Sequence, residues 1–313
     1  MKLAIIEPLG ITEAQVEELR RKYLPDDVEL TYYNTPAGSA EEQKERLQGA
    51  EGAMLANSPL PAEVLAANPA LRFLSVAFTG VDHVAMDYCH AKDIIVSNCA
   101  GYADEAVSEL VIGLAIALYR KLAAGDRAVR SAGTRAGLPG WELAGKKFGI
   151  LGAGAIGLAT ARLAQAFGCE VYAYSRTPKD IAGIKFVSRE ELLSAADILS
   201  LHVPLTRETR GLIGKAELQR MKKTAILINT ARGPVVDSAA LAAALSRGEL
   251  AGAAVDVFDQ EPPLDYGEPL LEAPHTILTP HIGFATQEAM VKRARIAFAN
   301  VAAWLQGQPQ NVM

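Results

Sequence analysis

Cysteine is scarce in this chain, and the few cysteines present exclude two classes of small scaffold. Cys89, Cys99 and Cys169 are the only ones among 313 residues. They are odd in number, well separated, and form neither a C-x-x-C pair nor a Cys/His ligand spacing, so the sequence predicts no disulfide framework and no metal site. Unpaired thiols fit a reducing compartment, and we therefore expect a cytoplasmic protein.

Long apolar runs and an excess of basic residues are also missing. The longest uncharged apolar run, Leu110 to Tyr119, is about half the length that a bilayer-spanning helix needs. The N-terminal apolar run stops at Glu7 and Pro8, which is too short for a signal peptide. With 31 Lys and Arg against 36 Asp and Glu, the net charge is −5, and no basic run stands out to neutralise several phosphates. We therefore expect neither a membrane nor a nucleic acid as a partner.

Short β-rich apolar segments alternate with segments of helical period along the whole chain. This pattern is typical of parallel strands joined by crossover helices. We expect an α/β fold with two Rossmann-like or flavodoxin-like domains, each a doubly wound parallel sheet, and a cleft between them. The substrate-binding domain is expected over 1–98 and 285–313, and the dinucleotide-binding domain over 99–284. The predicted strands are Leu3–Glu7, Val28–Tyr33, Ala53–Ala56, Phe73–Val76, Ile94–Ser97, Phe148–Leu151, Glu170–Tyr174, Ile198–Leu201, Ala225–Asn229, Ala251–Asp256 and Thr276–Leu278.

Two helices carry the domain prediction. A long helical stretch is expected from Ala103 to about Arg130, apolar over much of its circumference and therefore wedged between domains or subunits. The last helix, Thr286 to Leu305, is expected to return to the first domain. It would make that domain discontinuous in sequence.

A glycine-rich turn is the strongest local motif. The G-x-G-x-x-G sequence spans residues 152–157, directly after one predicted strand and at the start of a helix, and its expected cofactor contacts are Gly152, Gly154, Ala155, Ile156 and Gly157. The first glycine permits the tight turn, the second allows a pyrophosphate close to the backbone, and the third allows the helix to pack on the strand. The sequence therefore predicts a dinucleotide site, with a merely structural turn as the alternative.

The end of the next strand indicates which dinucleotide is bound. An NAD site places a carboxylate there to bind the ribose 2′-hydroxyl. This chain has Ser175, Arg176 and Thr177 instead, a guanidinium and two hydroxyls suited to a 2′-phosphate. We therefore expect NADP to be preferred. The alternative is that Arg176 is a solvated surface residue and that NAD binds.

Candidate catalytic residues follow three later strands. Interconversion of an alcohol and a ketone needs a group that exchanges the hydroxyl proton, and His281 suits that task. Glu261 would fix its tautomer and favour the imidazolium, and Arg232 would clamp a substrate carboxylate. Each residue alone is weak as a signal, because a single strand-end histidine is more often structural. His202 is the competing base, although it would equally pack beneath a nicotinamide.

These motifs, in this order, resemble the D-isomer-specific 2-hydroxyacid dehydrogenase family, and the likeness extends over nearly the whole chain. The resemblance implies that Arg232, Glu261 and His281 act as the family triad and that the protein is a homodimer built on the cofactor domain. It also implies that backbone amides around Thr79, Gly80 and Val81 hold the substrate carboxylate. The other residues expected at the substrate are Asn57 and Phe78, and those expected at the cofactor are His202, Val203, Pro204, Thr206, Thr230, Ala231, Asp256 and Gly283.

Phe78 departs from the family pattern, since many members have glycine before the Thr-Gly pair. Its ring would either reshape the substrate site or point into the core of the first domain. The Ser175–Thr177 segment resembles the NADP-using glyoxylate or hydroxypyruvate reductase members. We therefore predict an NADP(H)- or NAD(H)-dependent 2-ketoacid reductase that acts on a small 2-keto or D-2-hydroxy acid. The alternative is a dinucleotide-sensing interaction protein on the same fold; a methyltransferase would leave the Arg, Glu and His segments unexplained.

Overall fold

The computed structural model describes residues 1–313, which divide into two compact α/β units. The first unit contains Met1–Ala103 and Thr286–Met313, and the second contains Asp104–Ala285. No helix of the chain is long and apolar enough to cross a membrane.

The sheet of the first unit has five parallel strands in the order β2-β1-β3-β4-β5, which is the flavodoxin-like order. Its inner strands β3 and β4 are buried at every position, as expected for strands covered by helices on both faces. The strands are β1 (Lys2–Ile5), β2 (Glu29–Tyr32), β3 (Gly52–Leu55), β4 (Phe73–Val76) and β5 (Ile95–Ser97).

Five helices belong to the first unit. A capping box formed by Thr12 and Gln15 lies at the start of α1. The last helix lies against β4, where Ser75 Oγ donates to Ala297 O at 3.1 Å and the Phe73 and Trp304 rings stack with centroids 4.9 Å apart. The helices are α1 (Glu13–Tyr23), α2 (Ala40–Arg46), α3 (Ala62–Ala66), α4 (Met86–Ala91) and α11 (Gln287–Leu305).

The sheet of the second unit has seven parallel strands in the order β12-β11-β10-β9-β6-β7-β8. This order contains the Rossmann arrangement: successive strands are added on one side of β6 up to β8, and from β9 onward on its other side. Ligands of such sheets bind outside the carboxyl ends of the strands where the side changes, between β6 and β9. The strands are β6 (Lys147–Leu151), β7 (Glu170–Tyr174), β8 (Ile184–Phe186), β9 (Ile198–Leu201), β10 (Ile226–Asn229), β11 (Gly252–Val255) and β12 (Thr276–Leu278).

The helical stretch expected from Ala103 to about Arg130 is present, but it is divided into two helices. Lys121 adopts a left-handed conformation with φ of 51°, which ends one helix and starts the next in a new direction. The first is largely buried, whereas the second buries none of its residues. The helices of this unit are α5 (Asp104–Tyr119), α6 (Leu122–Arg130), α7 (Ala155–Ala166), α8 (Arg189–Ala195), α9 (Lys215–Arg220) and α10 (Ser238–Ser246), with short 3-10 turns at Gly233–Val235 and Pro269–Leu271.

Candidate active site

Three of the predicted catalytic segments follow adjacent strands of the second sheet. Arg232 lies after β10, Glu261 after β11 and His281 after β12, and the sheet order places these strands side by side. Neighbouring strands are about 4.8 Å apart, so their carboxyl ends bring the three segments to one edge of the sheet.

His281 and Glu261 form a direct pair. Nδ1 of His281 lies 2.9 Å from Oε1 of Glu261, and the side chains are 20% and 48% exposed. Because a carboxylate only accepts hydrogen bonds, Nδ1 carries a proton and donates a hydrogen bond to Glu261. Nε2 is then the ring nitrogen that can exchange a proton with a substrate. The ring also packs edge-on against Phe284, with centroids 5.4 Å apart.

Buried Asp256 organises the loop that carries His281. Its carboxylate accepts hydrogen bonds from Thr279 Oγ1 at 2.6 Å and from the amides of Ile282 and Gly283, each at 2.8 Å. Its backbone carbonyl accepts from the amide of His281 at 2.8 Å, and His281 has a left-handed φ of 54°. Burial raises the pKa of Asp256, although these hydrogen bonds oppose the rise. Asp256 therefore holds the side chain of Thr279 before the imidazole and the backbone amides of residues 281–283.

Arg232 lies on a turn that Asn229 holds together. Asn229 Nδ2 donates to the carbonyl of Arg232 at 3.0 Å, and Asn229 Oδ1 accepts from the amide of Ala231 at 3.1 Å. The Arg232 guanidinium donates to the carbonyl of Ala231 at 2.7 Å. A Cβ at Gly233 would lie 2.0 Å from the backbone of Phe258, so the turn packs directly on the segment that follows β11. The backbone of Arg232 is thereby fixed relative to the segment that follows the neighbouring strand β11.

The glycine-rich turn has the geometry of a phosphate cradle. Gly152 has φ of 108°, and a Cβ there would lie 2.5 Å from the carbonyl oxygen of His202. A Cβ at Gly157 would lie 2.1 Å from the carbonyl oxygen of Gly152. At Gly154, by contrast, a Cβ would meet nothing within 4 Å. Gly154 caps α7 without a side-chain hydrogen bond, so the helix presents its first amides to open space.

A second observation supports a cofactor at this edge. The hydroxyl of Thr230, directly after β10, is buried and has no hydrogen-bond partner in the protein. Buried hydroxyls are nearly always paired, so this one fits a polar group of a bound molecule. Together with the open backbone at Gly154, it shows that the residues present fit a dinucleotide.

His202 has a different environment from His281. Its Nε2 lies 2.9 Å from the hydroxyl of buried Ser200, and burial lowers the pKa of His202 to about 3. His202 is half-buried, beside the fully buried Ser200. With a pKa this low it is neutral near pH 7, which makes it a poor source of a proton for an alkoxide. The loop after it is braced by Thr209, whose hydroxyl donates to Pro204 O at 2.6 Å and accepts from the amide of Thr206 at 2.7 Å.

The end of β7 is exposed and charged. Ser175 Oγ donates to the carbonyl of Thr177 at 2.6 Å, which folds this segment into a tight turn. The Arg176 guanidinium lies 3.6 Å from the carboxylate of Glu208, and these side chains are 85% and 76% exposed. An ion pair this exposed contributes little to the stability of the protein, so another anion can readily replace Glu208 as the partner of Arg176.

The residues expected at the substrate in the first unit follow its adjacent strands β3 and β4. Asn57 is exposed. Thr79, Gly80 and Val81 form a loop in which none of the three amide N–H groups donates to an acceptor in the protein. Consecutive unpaired amides are typical of anion-binding loops. Asn98 Nδ2 donates to the carbonyl of Thr79 at 2.8 Å and holds the loop in place.

Phe78 is 6% exposed, and its ring packs with those of His83 and Tyr102, with centroids 6.3 and 6.1 Å away. This packing favours the alternative in which Phe78 belongs to the core of the first unit.

Two charged residues of this site were not predicted from the sequence. Lys179 donates from Nζ to the carbonyl of Ala153, inside the glycine-rich turn, at 2.9 Å. Glu208 pairs with Arg176 across the loops that follow β7 and β9. Nothing in the spacing of these residues indicates either contact, because both join loops that are distant in sequence.

Comparison with known proteins finds relatives among dehydrogenases and reductases. The family profile described as "D-isomer specific 2-hydroxyacid dehydrogenase, NAD binding domain" matches residues 112–283. The chain is 42% identical over 282 residues to a glycerate dehydrogenase of Methylorubrum extorquens, covering 87% of this chain and 88% of that relative. It is 39% identical over 264 residues to a glyoxylate reductase of Thermofilum pendens, covering 81% and 78%. A solved acyclic imino acid reductase in complex with NADPH and D-Arg matches 100% of both chains, with a TM-score of 0.91 and 26% identity.

Proposed function

The chain belongs to the D-isomer specific 2-hydroxyacid dehydrogenase family, and from that premise we propose that it reduces glyoxylate, hydroxypyruvate or a similarly small 2-keto acid with NADPH. It is an NAD(P)-binding oxidoreductase of this family, which sets aside the dinucleotide-sensing alternative. The observation that carries the proposal is the His281–Glu261 pair, at 2.9 Å, on the same sheet edge as Arg232 and the glycine-rich turn.

His281 is the proton donor of the reduction. A bound nicotinamide supplies the hydride that C2 of the keto acid accepts. His281 gives the proton at Nε2 to the carbonyl oxygen, which becomes the hydroxyl group, and its Nδ1 proton stays on the Glu261 hydrogen bond. Glu261 keeps the ring in the correct orientation and stabilises its positive charge before the transfer. In the reverse direction the neutral ring accepts the hydroxyl proton.

Arg232 and the Thr79–Val81 amides bind the acid. A planar guanidinium holds a carboxylate through two parallel hydrogen bonds and polarises the adjacent carbonyl. The three unpaired amides of the Thr79–Val81 loop supply further donors of the type that carboxylates prefer. The relatives named glycerate dehydrogenase and glyoxylate reductase act, by their names, on acids of two or three carbons. We extend that substrate size to this chain.

NADPH is the preferred cofactor. Gly152, Gly154 and the first amides of α7 hold the pyrophosphate, and Thr230 pairs its buried hydroxyl with the cofactor. The end of β7 carries Arg176 and two hydroxyl residues rather than a carboxylate that would repel a 2′-phosphate. The imino acid reductase that resembles this chain was solved with NADPH, which is consistent with this preference.

The protein acts as a homodimer through the second unit. Helix α6 buries none of its residues, and its Leu122 and Val129 are 54% and 74% exposed. Trp141, shortly after it, is 44% exposed. An amphipathic helix that exposes its apolar positions is typical of a subunit interface. Sedimentation of the wild type and of Val129→Lys checks this: a dimer that becomes a monomer supports it, and a monomeric wild type refutes it.

Three buried free thiols support the proposed cytoplasmic location.

The test of the activity is the initial rate of cofactor oxidation with a panel of acids. Glyoxylate, hydroxypyruvate, pyruvate and a bulkier branched 2-keto acid are offered separately with NADPH and with NADH. We expect turnover with the smallest acids and a higher kcat/KM with NADPH. Absence of turnover with every acid, although the cofactor binds, contradicts the proposed substrate class. A higher kcat/KM with NADH contradicts the cofactor preference alone.

A further inference from the structure

We propose that Lys179 is a second cation of the 2′-phosphate site and a determinant of selectivity for NADP over NAD. This inference rests on the NADPH preference proposed above and assigns a residue outside the Ser175–Thr177 segment to it. Lys179 is four residues beyond Ser175, in the loop between β7 and β8.

The position of the ammonium group is fixed by the glycine-rich turn itself. Nζ of Lys179 donates at 2.9 Å to the carbonyl of Ala153, the buried residue between the first two glycines. In a Rossmann sheet the adenosine ribose lies between this turn and the end of the next strand. Lys179 joins those two segments directly. Its charge therefore lies between the two segments that flank the ribose in such a sheet.

Lys179 and Arg176 differ in the charge of their partners. Arg176 faces the carboxylate of Glu208 at 3.6 Å, so a phosphate must replace that carboxylate. The partner of Lys179 is a neutral carbonyl, and the exposed Asp180 beside it forms no ion pair with it. The positive charge of Lys179 is consequently not offset by a bonded carboxylate.

This arrangement discriminates between the two cofactors. A phosphate monoester carries a charge of about −1.5 to −2 at pH 7, whereas a ribose 2′-hydroxyl is neutral. An ammonium group held in advance on a backbone carbonyl attracts the phosphate strongly and the hydroxyl little. Loss of the lysine charge should therefore weaken binding of the 2′-phosphorylated cofactor selectively.

The test measures binding of two fragments, adenosine 2′,5′-bisphosphate and 5′-AMP, by isothermal titration calorimetry. The variants are Lys179→Gln, Lys179→Arg and a matched control, Lys223→Gln, which removes an exposed charge near the amino end of β10. We expect Lys179→Gln to weaken the binding of the bisphosphate about tenfold, which corresponds to the loss of one well-placed charged contact. Binding of 5′-AMP should stay unchanged, Lys179→Arg should retain most of the affinity, and the control should behave as the wild type.

Two failures are distinguishable. If the wild type binds the bisphosphate and NADPH more tightly than 5′-AMP and NADH, but Lys179→Gln keeps that preference, the role of Lys179 is wrong and the proposed cofactor preference stands. If the wild type itself shows no preference for the phosphorylated ligands, both are overturned. An equal loss of both fragments in Lys179→Gln indicates damage to the glycine-rich turn and also overturns the assignment.

Discussion

The lowered pKa of His202 makes the stability of the protein depend on pH in a defined direction. An ordinary histidine has a pKa near 6.5, and burial lowers the pKa of His202 to about 3. Between these values the unfolded chain binds a proton at this residue and the folded chain does not. Stability therefore falls as the pH is lowered through this window, and it is independent of this residue above about pH 7.

The size of this effect follows from the two pKa values. At pH 5 the unfolded state has gained about 2 kcal/mol from protonation relative to pH 7, and the folded state has gained almost nothing. Replacement of His202 by Gln removes the titrating group while keeping an amide that can reach the Ser200 hydroxyl. The variant should lose about 2 kcal/mol less stability than the wild type between pH 7 and pH 5.

Urea unfolding at both pH values measures the difference, and histidine-selective NMR of the ring nitrogens reports the protonation state directly. The wild-type and variant curves should differ by a constant amount above pH 7, which serves as the internal control. A His202 ring that becomes protonated near pH 6, or an identical pH dependence in the two proteins, would refute this account. It would also return His202 to consideration as a proton donor.

Four further substitutions have expected outcomes. Gly154→Ala should leave the Tm unchanged, because its Cβ meets nothing within 4 Å, but it should weaken the binding of NADPH at least about tenfold in a fluorescence titration. Gly157→Ala, whose Cβ would lie 2.1 Å from a carbonyl oxygen, should weaken the binding of NADPH and also lower the Tm. A Gly154→Ala protein that binds NADPH normally contradicts the pyrophosphate site. Arg232→Lys should lower kcat/KM for glyoxylate about 100-fold at unchanged Kd for NADPH, since the bidentate fork is lost; an equal loss of cofactor affinity would argue against a substrate role. Thr279→Val should cost about 1–3 kcal/mol in unfolding free energy, because Asp256 loses its 2.6 Å hydrogen bond; an unchanged Tm contradicts the bracing role of that carboxylate.

The sequence was sufficient for the α/β architecture and for the segments of the site that depend on strand order. Parallel sheets place the ends of successive strands at one edge, so the approach of Glu261 and His281 follows from their positions after adjacent strands. The glycine-rich turn could also be predicted from the sequence. A Cβ at Gly152 or Gly157 would collide with backbone atoms, so the turn requires glycine at these positions and the motif is visible in the sequence. In these places local chemistry and global topology impose the same answer.

Contacts between loops could not be predicted from the sequence. The hydrogen bond from Lys179 to Ala153 and the pairing of Arg176 with Glu208 depend on loop conformations that no periodicity encodes. The break at Lys121 was missed because an apolar helical pattern continues on both sides of a residue with positive φ. Strand β8 was missed because the exposed Lys185 lies in the middle of its three residues, so the segment shows no apolar run.

The most direct test of the central claim is the rate of NADPH oxidation with glyoxylate by the wild type and by His281→Ala, with the Kd for NADPH measured on both proteins. If His281 donates the proton, its loss should lower kcat by about 10²- to 10⁴-fold. The Kd for NADPH should stay close to that of the wild type, because the glycine-rich turn and the end of β7 are untouched by the substitution. Near-normal turnover by His281→Ala would contradict the account and show that another group supplies the proton.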